Sequence, residues 1–459
     1  MRGTWLQDET GYKTILLRPN WQRDEITMKI TGYSTTLSEF PLNRRMGDAN
    51  SPSGRIRGSS NLLELFTDVG ITGIAFGGGG AGPQIKSLVE GILVGEDPRH
   101  VTGLWKRMVD RVFKGGHAGL VNDAISVLDV AMWDLKSRAN DEPLWKTLGG
   151  SSPRVHAYAS GLDMPRSDDD IEDWYGTMAA DHGFTGGKLK VGLDQDSDLR
   201  RIGRMKKGLE RATDRPYLYI DANEMWSPKQ AIRKVREMEE QFDIAWVEEP
   251  ARRWDFLGLR RISDAIKAPV CAGENLDTLG EFLPYFHNRA ADVVQVSWGM
   301  TGITCALQLA DAAYGFELPV TLGGSPGNLN AQLAPCMPNF LTLEVQNPGP
   351  DDGVMTSDIK IVDGWAVCGD QPGTGVSFDP EALARQKVEF VTASAGPSPF
   401  GRRPGAGRKP TLHEPARFTG DIERADLDTL EALAEQRGVS VASLVRAAVS
   451  AYVKRQKRR

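Results

Sequence analysis

The sequence predicts an α/β protein whose main domain is a (β/α) barrel, and two observations indicate this. Short apolar runs typical of buried strands recur along the middle of the chain, each separated from the next by enough residues for one helix. Three successive runs end at Asp221, Glu248 and Glu274, which are 27 and 26 residues apart. Because one strand–helix unit takes about that length, we expect the three acids at the same edge of adjacent parallel strands.

The barrel is laid out over residues 151–357. Its eight predicted strands are 155–160, 187–191, 217–220, 244–247, 268–271, 292–297, 318–322 and 340–345. The predicted helices between them include 196–212, 228–241, 276–287 and 303–314, and Pro228 suits the first turn of its helix. The chain from Ile359 to Gly375 is longer than a last barrel helix requires.

Composition and charge argue against several classes of protein. No apolar run approaches the roughly 18 residues of a membrane span, and the polar N-terminus does not resemble a signal peptide. The four cysteines are far apart with no CxxC pair, so we expect reduced thiols, a cytoplasmic location and no thiolate metal site. The net charge is −6, but residues 396–459 carry an excess of Lys and Arg and need a separate interpretation.

The region before the barrel divides into an extension and a first domain. Residues 1–27 have no clear apolar period and are interpreted as an extension, with a mis-called start as the alternative. The first domain, residues 28–150, begins with a strand and contains predicted helices at 83–94, 99–113 and 122–139. Residues 41–60 read as a loop that is either solvated or a lid whose arginines meet an anionic substrate. Those arginines are Arg44, Arg45, Arg55 and Arg57.

The three phased acids have a specific chemical interpretation. Oxygen ligands that converge on one point, with water completing the shell, are typical of a Mg²⁺ site. Any one of the acids alone is as well explained by a solvated loop or a salt bridge at the barrel rim. All three in phase, with Lys188 and Lys190 one strand earlier, favour the metal site.

Together, Lys188-Leu189-Lys190, Asp221, Glu248 and Glu274 resemble the motifs of the enolase superfamily, specifically its mandelate racemase/muconate lactonizing branch. Further similar segments are 131–135, 148–150, 248–250 and 302–304, and the resemblance covers about residues 28–375. It implies a modified TIM barrel with an α+β capping domain, formed by residues 28–150 and completed by 358–378. It also implies a homo-oligomer and a site at the carboxyl ends of the barrel strands.

The resemblance further implies a chemistry and roles for named residues. A small-molecule carboxylate substrate would chelate Mg²⁺ held by the three acids, and its α-proton would leave to give an enediolate. Lys190 would be the base, while Lys188 would lower the pKa of Lys190 toward neutrality and contact the substrate carboxylate. Asn223 would hydrogen-bond the substrate, and Glu249 and Asn275 would support the metal ligands from behind.

Departures from the family pattern affect the expected reaction. Racemase-like relatives carry a His after strand seven paired with an Asp after strand six, and muconate lactonizing relatives carry a Lys there. In this chain, strand seven ends at Leu322-Gly323-Gly324 and strand six at Val296-Ser297-Trp298, so the His, the Asp and the Lys are all missing. We therefore expect dehydration of a sugar acid by a single base, with a racemase or epimerase second and a cycloisomerase third.

Two further features at the strand ends have open interpretations. His156, in strand one, is expected to be a structural histidine rather than a catalytic one. The backbone N–H groups of residues 323–328 would either hold substrate oxygens or form a simple turn, with the turn slightly preferred.

The C-terminal segment is read separately. Residues 394–415 are interpreted as a basic flexible linker, and residues 416–459 resemble a ribbon-helix-helix module. Arg417 and Thr419 would contact DNA from the ribbon, although Asp421 is unfavourable beside phosphates. An interaction tail or an accidental fusion is the alternative. A DNA-binding regulator with an inactive barrel is the competing class of function, and the retention of three acids and two lysines favours an enzyme.

Overall fold

The computed structural model describes residues 4–7, 13–16, 28–324, 327–346, 348 and 355–386. Its architecture is a closed parallel barrel with an antiparallel sheet and helices before it, which confirms the predicted fold class. The linker 394–415 and the module 416–459, with Arg417, Thr419 and Asp421, lie outside the described residues. Within the predicted extension, β1 (Thr4–Gln7) and β2 (Lys13–Leu16) pair as an antiparallel hairpin.

The capping domain consists of a three-stranded antiparallel sheet packed on helices. Its strands are β3 (Ile30–Met46), β4 (Arg55–Thr67) and β5 (Thr72–Phe76). Its helical segments are α1 (Gly82–Leu88), a π-helical turn at Val89–Leu93, α2 (Val101–Val112), a 3-10 turn at Phe113–Gly115, α3 (Leu120–Ala139) and α4 (Leu144–Thr147). Most of α3 is buried, since the helix is covered by the sheet on one side and the barrel on the other.

Eight parallel strands form the barrel, and the eighth pairs with the first to close it. They are β6 (Arg154–Ser160), β7 (Gly186–Lys190), β8 (Tyr217–Asp221), β9 (Ile244–Glu248), β10 (Val270–Ala272), β11 (Val293–Val296), β12 (Val320–Leu322) and β13 (Phe340–Val345). Every predicted strand is present, with bounds shifted by one or two residues. The β-strands are therefore where the apolar runs indicated.

Six α-helices follow the first six barrel strands: α5 (Asp168–His182), α6 (Gln195–Leu209), α7 (Pro228–Glu239), α8 (Phe256–Ser263), α9 (Leu279–Asn288) and α10 (Trp298–Gly315). Capping boxes begin α5, α7 and α9, because Ser or Thr at the N-cap is followed by an acid or Gln three residues later. Two 3-10 turns, Gly327–Gln332 and Ala334–Cys336, replace the helix after β12.

The chain after the barrel contacts both domains. A hairpin of β15 (Lys360–Val362) and β16 (Trp365–Val367) extends the barrel sheet, because β16 pairs antiparallel with β6. Before it lies β14 (Met355–Ser357), which pairs with β17 (Val376–Phe378), and α11 (Pro380–Gln386) follows. Phe378 packs edge-on against Phe76 of the cap, with ring centroids 5.5 Å apart.

Asp134 of α3 joins the returning segment to the cap. Its buried carboxylate accepts hydrogen bonds from the backbone N–H groups of Ile74 (2.9 Å) and Thr374 (2.7 Å) and from the guanidinium of Arg138 (2.6 Å). The hydroxyl of Thr374 also donates to it (3.1 Å), so the four donors come from β5, the returning chain and α3 itself. Asp134 therefore has the structural role expected of a buried acid whose oxygens are all satisfied.

Three local predictions differ from the structure. The loop predicted at 41–60 is mostly strand, because β3 and β4 pair as far as Met46 opposite Arg55, with an irregularity after Pro41. Only residues 47–54 form the turn. The helix predicted at 83–94 changes to a π-helical turn at Val89. The helix predicted at 303–314 begins earlier, with a break at Gly302, whose φ is +72°.

Membrane and thiol predictions can be compared with the described residues. None of the helices in the described part of the chain is long and apolar enough to cross a membrane. The four cysteines are unpaired, as predicted.

Candidate metal and proton-transfer site

The three phased acids meet at the carboxyl end of the barrel. Asp221 and Glu248 are the last residues of β8 and β9, and Glu274 follows β10. The strand register places Asp221 opposite Glu248. One oxygen from each of the three carboxylates lies within 4.8 Å of the other two, which is close enough for all three to bind one cation. Asp221 and Glu248 have no exposed surface, and Glu274 is partly exposed.

Both lysines of β7 point into this cluster. The Nζ atom of Lys190 forms an ion pair with Asp221, the residue beside it in the strand register. The Nζ atom of Lys188 lies 2.5 Å from Glu248 Oε1 and 3.6 Å from Asp221 Oδ2. Lys190 is 3% exposed, whereas Lys188 has no exposed surface and is enclosed by carboxylates. Lys188 is therefore the more enclosed of the two lysines.

Glu344 is a member of the cluster that the sequence interpretation missed. It lies near the end of β13, and its Oε1 atom is 3.0 Å from Lys188 Nζ. Its Oε2 atom accepts a hydrogen bond of 2.8 Å from the N–H of Gly324. The signal was present in the sequence, since a single acid close to the end of an apolar strand also marks Asp221 and Glu248.

The amide side chains near the acids hold them in place. Asn223 donates from its backbone N–H to Asp221 Oδ1 (2.8 Å) and from its side chain to Oδ2 (3.3 Å), while its own Oδ1 has no partner. Asn275 donates to Glu249 (2.7 Å) and lies 3.5 Å from Glu274. Asn223 and Glu249 adopt positive φ values of +45° and +43°, a strained conformation that is common at functional sites.

This cluster contains more carboxylates than ammonium groups. Asp221, Glu248, Glu274 and Glu344 face two ammonium groups. Burial raises the pKa of Glu248 and Glu274, and the neighbouring carboxylates raise both further, against the attraction of Lys188. Oε2 of Glu248 is buried without a hydrogen-bond partner. The cluster therefore has negative charge and oxygen ligands in excess of its protein cations.

Among the protein groups alone, the pKa of Lys190 shifts upward rather than toward neutrality. Burial lowers the pKa of Lys190 and Lys188 lowers it too, but the Asp221 carboxylate outweighs them and the net shift is upward. The carboxylates around Lys188 likewise raise its pKa, although burial opposes them. The sequence interpretation considered the two like charges and left out the acids that surround them.

An aromatic layer closes the barrel beneath the charges. Tyr219 and Trp246 stack with ring centroids 3.9 Å apart, and Tyr158 packs against both at a steep angle. Lys188 Nζ lies 5.9 Å from the centroid of the Tyr158 ring. This layer excludes water from the floor of the site, so electrostatic interactions there are stronger than in solvent.

The turn of residues 47–54, which we call the cap turn, contacts the rim of the barrel. The side chain of Asn50 donates to the backbone oxygen of Asn223 (2.9 Å). The guanidinium of Arg44 contacts the carbonyl groups of Gly161 and Gln346. In the lid interpretation the arginines meet a substrate; in the structure Arg44 binds barrel carbonyls, and Arg57 pairs with Glu39 at 3.4 Å.

The two open features at strand ends are both structural. His156 Nδ1 lies 3.0 Å from Thr342 Oγ1, in the half of β6 that pairs with β16 and away from the acids. The N–H groups of Gly323 and Gly324 donate to Val296 and Glu344, so in the described part of this loop they are not free to hold substrate oxygens. Ser325 and Pro326 lie outside the described residues.

Comparison with known proteins identifies the family. Residues 55–149 match the mandelate racemase/muconate lactonizing enzyme N-terminal domain, and residues 171–382 match the enolase C-terminal domain-like family. The chain is 30% identical over 372 residues to the 3,6-anhydro-alpha-L-galactonate cycloisomerase of Streptomyces coelicolor, a match that covers 77% of this chain and 98% of that protein. The chain belongs to the mandelate racemase/muconate lactonizing branch of the enolase superfamily.

Other members of the superfamily show similar sequence and structure. The L-talarate/galactarate dehydratase of Salmonella typhimurium is 28% identical over 297 residues, which cover 62% of this chain and 73% of that protein. The crystal structure of that dehydratase with Mg and L-lyxarohydroxamate has a TM-score of 0.70 at 25% identity, covering 83% of this chain and 97% of that one. A racemase from Streptomyces coelicolor with bound magnesium has a TM-score of 0.71 at 28% identity, covering 78% and 100%.

Proposed function

We propose that this member of the enolase superfamily is a Mg²⁺-dependent sugar-acid dehydratase. The observation that carries the proposal is the convergence of Asp221, Glu248 and Glu274, with ligand atoms within 4.8 Å of one another, beside the amine of Lys190. The similarity to the dehydratase of Salmonella typhimurium, which was crystallised with Mg, also supports the proposal.

The residues present fit a magnesium ion. Carboxylate oxygens are the ligands that Mg²⁺ prefers, and Oε2 of Glu248 is buried with no hydrogen-bond partner. When all four inner carboxylates are ionised, they exceed the two ammonium groups by two negative charges, which a divalent cation would neutralise. When bound, Mg²⁺ would supply positive charge that stabilises the negative charge developing on the substrate carboxylate.

Lys190 is the proposed base. It lies at the end of β7, retains a small exposed surface and is directed at the acids where a substrate carboxylate would bind. Among the protein groups alone, the Asp221 carboxylate raises the pKa of Lys190. Once a bound cation takes up the charge of Asp221, burial and Lys188 remain, and both lower the pKa of Lys190. A free amine at this position would take the α-proton and leave an enediolate.

Lys188 and Glu344 hold the floor of the site. The ammonium of Lys188 touches Glu248 and Glu344 and lies near Asp221, so it keeps three acids together that would otherwise repel. Glu344 is itself fixed by Lys188 and by the Gly324 N–H. We assign Asn223, Glu249 and Asn275 to holding the metal ligands. Asn223 donates to Asp221, and Asn275 lies against Glu274 while its amide donates to Glu249.

The side of the site opposite the lysines favours a reaction with one base. A Cβ atom placed on Gly324 would lie 3.5 Å from Glu274 Oε2, so a side chain at this position would enter the site, and there is none. The chain has no histidine between His287 and His413. After Lys190 takes the α-proton, its ammonium can return that proton to a leaving hydroxyl on the same face, which completes elimination of water.

A cycloisomerase is the second candidate. The Streptomyces coelicolor relative that shares 30% identity is a cycloisomerase, and a reaction of that kind would use the same base and metal. Because isomerisation conserves mass whereas dehydration loses one water, the product distinguishes the two.

The test is a screen of aldonic, aldaric and anhydro-sugar acids with MgCl₂, read by mass spectrometry and by a carbonyl assay for 2-keto-3-deoxy acids. We expect at least one acid to lose water, and chelation with EDTA to stop the reaction. A product of unchanged mass would replace the dehydratase by the cycloisomerase or epimerase. If the protein binds Mg²⁺ but converts none of the acids, the proposal is wrong.

A further inference from the structure

A buried group outside the carboxylate cluster holds the lysine strand by its backbone. Asp163 lies in the loop after β6, and its Oδ1 atom accepts a hydrogen bond of 3.0 Å from the backbone N–H of Lys190. The hydroxyl of Tyr175, on α5, lies 2.7 Å from Asp163 Oδ2 and within hydrogen-bond distance of the carbonyl of Lys188. The backbone of the two-lysine segment is therefore gripped at both ends by one connected pair of side chains.

The loop is built around the Asp163 carboxylate. Asp163 has no exposed surface, and Arg201 supplies the opposite charge at 3.3 Å, which a buried carboxylate requires. A Cβ atom on Gly161 would lie 2.6 Å from Asp163 Oδ2, so only glycine leaves room for that oxygen. Leu162 between them has a φ of +44°, a strained value for leucine. The strained backbone of Leu162 and the buried charge of Asp163 both cost free energy, so we expect this carboxylate to have a role through its hydrogen bonds.

The same loop carries the contact with the cap turn. The N–H of Gly47 donates to the carbonyl of Leu162 (2.8 Å), and the N–H of Met164 donates to the carbonyl of Gly47 (3.3 Å). These two bonds lie on either side of Asp163. Hydrogen bonds within the turn fix its shape, because Asp48 Oδ1 accepts from the N–H groups of Asn50 (2.8 Å) and Ser51 (2.9 Å).

We propose that Asp163 is a positioning residue through which the cap turn holds Lys188 and Lys190 in place. The connection runs from Gly47 to the backbone around Asp163, and from the Asp163 carboxylate to the N–H of Lys190. Its catalytic consequence rests on the proposed role of Lys190 as base. A displacement of about 1 Å in such a group can cost roughly 10²-fold in rate. The cap turn thus acts on the base through the barrel backbone, without touching the amine.

The test compares Asp163→Asn with Asp134→Asn. Both aspartates are fully buried, and each accepts a hydrogen bond from a backbone N–H and pairs with an arginine, but Asp134 lies in the cap. We expect Asp163→Asn to lower kcat about 10²-fold with little change in KM, since the base is displaced while the metal ligands stay. Asp134→Asn should leave kcat and KM unchanged. Tyr175→Phe is the second variant should Asp163→Asn fold poorly, and should also lower kcat.

A second measurement needs no turnover. Backbone hydrogen exchange, followed by mass spectrometry, should be faster in Asp163→Asn at both residues 47–54 and 186–191, and unchanged there in Asp134→Asn. A kcat within twofold of the unmodified protein, or faster exchange in only one of the two segments, would overturn the proposal. If the unmodified protein converts no sugar acid, the proposed function fails, and the exchange measurement alone decides whether Asp163 links the cap turn to the lysine strand.

Discussion

Buried carboxylates occur in two regions of this molecule, and their surroundings differ. On α3 of the cap, Asp129 and Asp134 have both oxygens bonded: Asp129 by the N–H (2.8 Å) and hydroxyl (2.6 Å) of Thr304, and Asp134 by four donors. At the barrel mouth, acids share two lysines, and Oε2 of Glu248 has no partner. The acids of the two regions are therefore similarly buried but differ in how completely their oxygens are hydrogen-bonded.

This difference in hydrogen bonding distinguishes acids with a structural role from acids with a functional one. A satisfied buried acid joins segments of the fold and contributes to stability. A group of acids with fewer partners than oxygens is unfavourable until a cation arrives, and such groups concentrate at functional sites. The cap acids should accordingly affect stability, whereas the barrel acids should affect metal binding and turnover.

The largest expected effect is at the barrel mouth. Glu248→Gln keeps the oxygen that accepts from Lys188 and removes one negative charge from a crowded set. We expect loss of Mg²⁺ binding and a fall in kcat of at least about 10³-fold, because metal stabilisation supplies several kcal/mol. In EDTA the free energy of unfolding should change by less than about 1 kcal/mol, since no bonded acceptor is lost. Calorimetric Mg²⁺ titration and thermal unfolding measure the two effects, and a clear loss of stability in EDTA would contradict the comparison.

The cap should behave in the opposite way. In Asp134→Asn the new NH₂ group faces either the donors of Ile74 and Arg138 or those of Thr374. The protein should therefore lose about 1–3 kcal/mol in its free energy of unfolding while Mg²⁺ affinity is unchanged. Denaturant unfolding beside the same Mg²⁺ titration checks this. Weaker Mg²⁺ binding in this variant would show that the two regions are not independent.

The contribution of Asp129 to the stability of the cap should depend on pH. Burial raises the pKa of Asp129 from 3.8 to about 7, against the hydrogen bonds of Thr304. Because the folded state then holds a proton that the unfolded state has lost, the contribution of Asp129 to stability is greatest at low pH. That contribution falls between about pH 4 and pH 7, by at most roughly 1.4 kcal/mol per unit.

Unfolding of Asp129→Asn across this range is the measurement. The difference in free energy between the variant and the unmodified protein should change with pH below 7 and level off above it. A constant difference would mean that Asp129 is ionised in the folded protein throughout.

The smallest effect is expected where the cap touches the site. Asn50→Ala removes one hydrogen bond to the backbone of Asn223, which in turn holds Asp221. A bond of this kind contributes about 0.5–1.5 kcal/mol, so we expect roughly 2- to 10-fold weaker Mg²⁺ binding. Ser53→Ala, in the same turn, is the control and should not change Mg²⁺ affinity. Equal effects of both variants would indicate a general loosening of the turn.

Much of the fold followed from local patterns. Eight strands and the order of helices could be predicted because each apolar run is long enough to be buried, and Asp221, Glu248 and Glu274 repeat with the strand–helix period. Residues 41–46 and 55–60 were missed as strands because glycine, serine and arginine favour loops, whereas pairing along β3 and β4 overrides that preference.

The missing parts of the site depend on contacts far apart in the chain. Glu344 does not follow the regular spacing of the three phased acids, so the sequence alone does not associate it with Lys188. Asp163 shows no periodic signal, and the partners of its carboxylate come from residues 175, 190 and 201. The upward shift in the pKa of Lys190 among the protein groups was missed for the same reason, because the sequence places Lys188 two residues away but does not show how close Asp221 comes.

The central claim is that the amine of Lys190 removes the α-proton of a carboxylate bound beside Asp221, Glu248 and Glu274. It is tested most directly by incorporation of solvent deuterium at the substrate α-carbon, measured for the unmodified protein and for Lys190→Met. Mg²⁺ titration and circular dichroism should show that the variant keeps its metal and its fold. We expect Mg²⁺-dependent incorporation in the unmodified protein and none above background in Lys190→Met. Undiminished incorporation in the variant would contradict the account and assign the base to another residue.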